Sequence, residues 1–122
     1  MLASAALGAQ GTGVKASNAW VKQPAAGETE AMAFVTIENP GMYEVNVTSA
    51  KTDASGKVEL RDGGEAVTFI NVPPYGRVDM APAGAHLLLM NLNRPFKEGD
   101  TIALTLSTDV DVTLEATAVV RK

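Results

Sequence analysis

Few side chains in this sequence are suited to chemistry. His86 is the single histidine among 122 residues, there are five methionines, and there is no cysteine. The lack of cysteine removes disulfides, thiolate metal sites, iron–sulfur clusters and a thiol nucleophile together. A Ser-His-Asp arrangement would have to use His86, and no serine sits in a nucleophile-elbow sequence. No glycine-rich loop with a lysine behind it is present to cradle phosphate. Carboxylates are plentiful, but spacing along β-strands does not say which of them meet. These residues point away from an enzyme.

The elements that must position His86 read as strands. Period-two alternation runs through Val110 to Val120, with valine, leucine and alanine on one face and Asp111, Thr113, Glu115 and Thr117 on the other. Ile102, Leu104 and Leu106 alternate with Thr101, Ala103 and Thr105, and Val45 and Val47 alternate with polar neighbours. Ala31 to Ile37 is apolar on both faces, as a central strand is. Turn residues punctuate these runs at Asn39-Pro40-Gly41, Pro73-Pro74-Tyr75-Gly76, Ala81 to Gly84 and Glu98-Gly99-Asp100. Asp62-Gly63 between Val58–Arg61 and Ala66–Ile70 predicts a hairpin. No segment carries a helical stripe. Many short strands with close turns predict an all-β Greek-key sandwich or barrel, in which Trp20, Phe34 and Met90 are expected in the core. Tyr43 and Tyr75 fall at turns and are expected to be partly covered.

Composition narrows the partners. The net charge is −4, and the 10 basic residues are scattered singly, so no basic patch for nucleic acid is visible. No run of about 18 apolar residues exists to span a membrane, and a monomer is expected. Met1 to Gln10 is small, apolar and uncharged, like the tail of a signal peptide. The expected organisation is a signal-peptide remnant or disordered start over residues 1–13, then one β domain over 14–122, in a periplasmic or secreted protein.

Four pieces in order resemble the periplasmic copper chaperones of the PCuAC family. They are Asn18-Ala19-Trp20-Val21, the strand Ala33 to Asn39 ending in Glu-Asn, Val58-Glu59-Leu60, and the stretch Ala81 to Leu106 that carries His86. The resemblance implies a cupredoxin-like β-sandwich. It also implies a Cu(I) site of two histidines and two methionines, soft donors suited to a soft ion. Carried over position by position, that site is incomplete here. The first histidine is replaced by Arg61, the first methionine by Ile70 or Thr68, and the second methionine by Leu88, which leaves His86 alone. A guanidinium about 5 Å from Cu(I), at an effective dielectric of about 20, opposes binding by about 3 kcal/mol, about a hundredfold in affinity.

Met80, before the Ala81–Ala85 turn, and Met90, on the strand face of His86, are the candidates for rebuilding a site. Gap-filling is the commoner use of methionine. The sequence thus describes a non-enzymatic protein resembling copper(I) chaperones, with copper binding weak or lost. The partner implied by the resemblance is a copper-acceptor protein such as an oxidase assembly factor. The alternative is a metal-free interaction module on the same scaffold, with Arg61 offering positive charge to an anionic partner.

Overall fold

The structure, a computed structural model, describes residues 13–122. The expectation for residues 1–13 therefore falls outside the described residues, except for Gly13. Among the described residues ten strands follow one another: β1 (Lys15–Lys22), β2 (Glu30–Asn39), β3 (Val45–Lys51), β4 (Ser55–Asp62), β5 (Glu65–Ala66), β6 (Ile70–Val72), β7 (Gly76–Asp79), β8 (Ala85–Leu92), β9 (Thr101–Thr108) and β10 (Thr113–Arg121). They form one mixed sheet in the order β5-β4-β8-β2-β1-β10-β9-β3-β6, with β7 paired to β2. The sheet is antiparallel except where β10 runs parallel to β1. It curls on itself as a cupredoxin-like sandwich or barrel, and the expected all-β class holds.

Alternation decides what faces inward. On β2, Ala31, Ala33, Val35 and Ile37 are all buried and join Val21, Leu60, Leu87, Leu89, Ile102, Leu104, Leu106 and Val120 in one core. Burying each large aliphatic side chain among these contributes about 1.5–3 kcal/mol. The even-numbered residues of β2 point the other way. Ten residues long, β2 is paired along both edges: β1 takes one, while β8 and β7 share the other.

Local chemistry sets the strand ends. The hairpin between β4 and β5 turns at Gly63-Gly64, with Asp62 opposite Glu65 and Gly63 at φ 62°, a conformation glycine adopts without strain. Its second strand is shorter than alternation predicts: β5 ends at Ala66, and β6 begins only at Ile70 to pair with β3. The strand expected from Val110 also starts later, at Thr113. Asp111 is left-handed (φ 60°), and Thr108 closes the turn by donating Oγ1–H to the Val112 carbonyl at 2.7 Å, leaving Val110 exposed. Tyr43 and Tyr75, expected to be partly covered, are 77% and 73% exposed.

One buried polar side chain ties two loops together. Asn39 donates Nδ2–H to the carbonyls of Tyr43 (2.8 Å) and Pro73 (3.2 Å) and accepts from the Gly41 N–H through Oδ1 (3.0 Å). Replacing it by alanine strands those buried groups, so Asn39→Ala is expected to cost about 2 kcal/mol by urea denaturation. Asp109 clamps a neighbouring loop. It accepts the backbone N–H of Asn46 (3.0 Å) and its side-chain N–H (2.8 Å), and these bonds hold its carboxyl below the usual carboxylate range. A lowered pKa means stabilisation that is present at neutral pH and lost as pH falls through the folded-state value. Asp109→Asn should therefore flatten part of the acid limb of the stability curve, measured by thermal melts between neutral pH and about pH 2.

Candidate functional site on the outer sheet face

Register places the chemistry. His86 stands directly opposite Arg61 in the β4–β8 ladder, and Leu88 stands opposite Glu59. On the other side, Leu88 faces Met32 and Met90 faces Glu30 across β8 and β2. Directly opposed residues share a face, so His86, Leu88, Met90, Met32, Arg61 and Glu59 all lie on one side of the sheet. That side is the one turned away from Leu87, Leu89 and Ala33. A row of rings crosses it: Trp20 packs on Phe34 at 4.5 Å between centroids, and Phe34 meets His86 at 6.1 Å. Arg121 lies over Trp20, 5.7 Å from its ring centre.

This outer face is more apolar than an outward face usually is. His86 is only 3% exposed and Phe34 is buried, while Trp20, Met32, Leu88 and Met90 are half-buried. Phe34 belongs to the core cluster and Trp20 packs against it, as the sequence led us to expect, whereas Met90 does not join it. A period of two separates the faces but does not say which is inside when both are apolar.

The histidine ring is oriented by the backbone. Its Nδ1 lies 2.9 Å from the Gly84 carbonyl, which can only accept, so Nδ1 carries the proton. The neutral ring then has one lone pair, on Nε2. Among the described residues the one hydrogen bond of the ring is that of Nδ1. His86 thus has one donor atom, Nε2, to give to this face.

Arg61, beside it, offers none. Its Nε–H donates to Glu59 Oε1 at 2.6 Å and its Nη1–H to the Gly64 carbonyl at 3.0 Å. The cation is half-buried and paired, rather than presented free as in the alternative reading of the sequence. Glu59 is the residue that reasoning missed, although its position two before Arg61 on the same strand face was a readable signal.

The other predicted positions scatter. Ile70, opposite Val47 on β6, is buried in the core. Thr68 is exposed in the linker between β5 and β6. Met80 donates its backbone N–H to the Val35 carbonyl at 3.3 Å and packs in the core cluster, in line with the inward face of β2. Met90 shares the His86 face but lies beyond Leu88 on the same strand. At the His86 position a Cu(I) ion would find one imidazole nitrogen, with Arg61 opposite and Leu88 two residues along. The thioethers of this face, Met32 opposite Leu88 and Met90 opposite Glu30, stand at other register positions than the family's methionines, so the four-donor soft site is not reproduced. Among the described residues no group of three or more His, Cys, Asp or Glu is arranged to hold a metal ion. Among them, too, no helix is long and apolar enough to cross a membrane.

Comparison with known proteins agrees on the scaffold. The chain is similar to the copper-bound PCuAC domain from PmoF2, with TM-score 0.81, 24% identity, and coverage of 90% of this chain and 94% of that one. It is similar to the apo PCuAC domain from PmoF1, with TM-score 0.82, 22% identity, and coverage of 90% and 95%. The Cu(I) form of DR1885 from Deinococcus radiodurans gives TM-score 0.75 and 25% identity, over 91% of this chain and 78% of that one. A putative lipoprotein of Leifsonia xyli subsp. xyli (strain CTCB07) is 33% identical over 108 residues, 81% of this chain. The chain spans 64% of the length of that relative. The family model described as "Putative lipoprotein LpqE-like" matches residues 14–120. With nearly the whole described fold inside that match, the chain belongs to the LpqE-like family of putative lipoproteins.

Proposed function

We propose that this protein is a non-catalytic, exported binding domain of copper-chaperone ancestry whose face around His86 holds Cu(I) only weakly. The observation that carries the reading is the direct pairing of Arg61 with His86 across β4 and β8. At that spacing a second donor would share the ion with Nε2, and the guanidinium has no lone pair to give. The likeness to copper-bound domains supplies the ancestry, and the lipoprotein names of the family supply the export. A copper-acceptor protein, such as an oxidase assembly factor, is the partner this ancestry suggests.

The ion pair revises the physical reason for weak binding. Glu59, 2.6 Å from Arg61, offsets most of the repulsion a bare guanidinium would exert on a cation at His86. What is missing is donors at the three family positions beside His86, since Met32 and Met90 lie elsewhere on the face. Glu59 also speaks against a module that offers Arg61 to an anionic partner, because the charge is already taken.

Titration against a strong Cu(I) chelator is expected to show affinity at least about a hundredfold below that of a two-histidine, two-methionine chaperone. A stoichiometric complex surviving the chelator would sink the reading. Restoring donors should reverse it. Arg61→His with Leu88→Met and Thr68→Met, or with Ile70→Met in place of the last, is expected to raise Cu(I) affinity at least about tenfold. His86→Ala should abolish the gain. The exposed Thr68 is the better placed of the two, since Ile70 is turned into the core. Ile70→Met and Leu88→Met nearly conserve volume and should each cost under about 1.5 kcal/mol, checked by thermal melts. If every version folds and none binds better than wild type, the face around His86 is not where a site ever stood.

A further inference from the structure

Strands β6 and β7 leave the Pro73-Pro74-Tyr75 turn for different neighbours. Among the described residues β6 pairs only with β3 and β7 only with β2, so neither closes on the other. Each keeps an edge on which alternate N–H and C=O groups have no strand partner among the described residues. Between them opens a slot of about 610 Å³, whose lining includes Phe69, Ile70, Val78, Ala66, Ala85 and Asp62. Phe69, 51% exposed, lies in the linker that joins β5 to β6 across the slot.

The charges at the slot have one sign. Asp62 lines it, and Glu65 faces Asp62 across the β4–β5 hairpin. Neither carboxylate makes an ion pair among the described residues. The adjacent cations are committed elsewhere, Arg61 to Glu59 and Arg77 to Asp79 at 3.1 Å. The slot therefore combines unpaired strand edges, an apolar lining with an exposed aromatic ring, and two unneutralised carboxylates at one end.

We propose that this slot receives an extended, basic segment of a partner protein as an added strand. Free strand edges recognise the repeating backbone of an extended chain, which a small ligand lacks. Apolar side chains on one face of the incoming segment rest on Phe69, Ile70 and Val78, and a lysine or arginine on it reaches Asp62 and Glu65. Four residues or so of added strand make a small interface, so the complex is transient. The reading needs no metal and stands apart from the copper proposal.

The test is a metal-free titration of the full ¹⁵N-labelled chain with an acetylated, amidated Lys-Val-Lys-Val-Lys-Val peptide, followed by amide shifts. Saturable shifts confined to Asp62–Asn71, Gly76–Asp79 and Ala85 are expected. The same peptide N-methylated at alternate residues keeps its charge but cannot pair along an edge, and should not bind. The Glu-Val-Glu-Val-Glu-Val peptide should not bind either. Asp62→Asn with Glu65→Gln, both at the surface, should weaken binding about threefold. Equal binding of the N-methylated peptide would reduce the effect to charge alone and overturn the proposal. So would shifts elsewhere on the barrel, no shifts at all, or the same shifts on concentrating the protein without peptide, which would assign the slot to a second copy.

Discussion

Strand β2 carries two different neighbours along a single edge, and most of the architecture follows from that fork. Glu30–Ala33 pair with β8 and Thr36–Asn39 pair with β7, while β1 holds the opposite edge. The register is fixed by burial. A slip of one residue would push Phe34 and Met32 into the space of Ala33 and Val35, and would bring alanine and valine to the outer ladder. β7 and β8 follow each other along that one edge, and β6 goes to β3 instead of to β7. The space beside Val78 and Ala85 opens there, and among the described residues one edge of β7 stays without a strand partner. The ladder around His86 and the slot beside it are two results of one strand being shared.

The electrostatics of the outer face are local and small in stability terms. Glu59 and Arg61 are partly exposed, and pairs of that kind contribute about 0–1 kcal/mol. Their importance lies in what they do to the site's chemistry. A sequence places a permanent cation beside the only histidine, and the structure shows that cation paired before any ligand arrives. Charge repulsion and absence of donors are different obstacles to a metal ion, and only the second survives the geometry.

Much of the fold was legible because strands announce themselves by alternation and turns by glycine, proline and asparagine. β8, β9 and the hairpin at Gly63 follow from those signals. The resemblance placed Arg61, His86 and Leu88 together, and the register does bring them to one face. Three things stayed hidden. Val110 continues the alternation of β10 in sequence, yet a left-handed Asp111 removes it from the strand. Met90 looks like a core residue, yet it lies half-buried on an outer face that is itself apolar. Ile70 alternates as a strand residue should, but its neighbours across β3 turn it inward, which only the three-dimensional register reveals.

The ring row has a spectroscopic corollary. Trp20 is the single tryptophan of the chain, half-buried against Phe34, which in turn touches His86. Indole emission responds to the polarity and mobility of its surroundings, and in this molecule it arises from one place. Any event that repositions the imidazole is transmitted through one intervening phenyl ring to the only strong fluorophore. The protein thus carries an intrinsic optical gauge of its own outer ladder, one that needs no label.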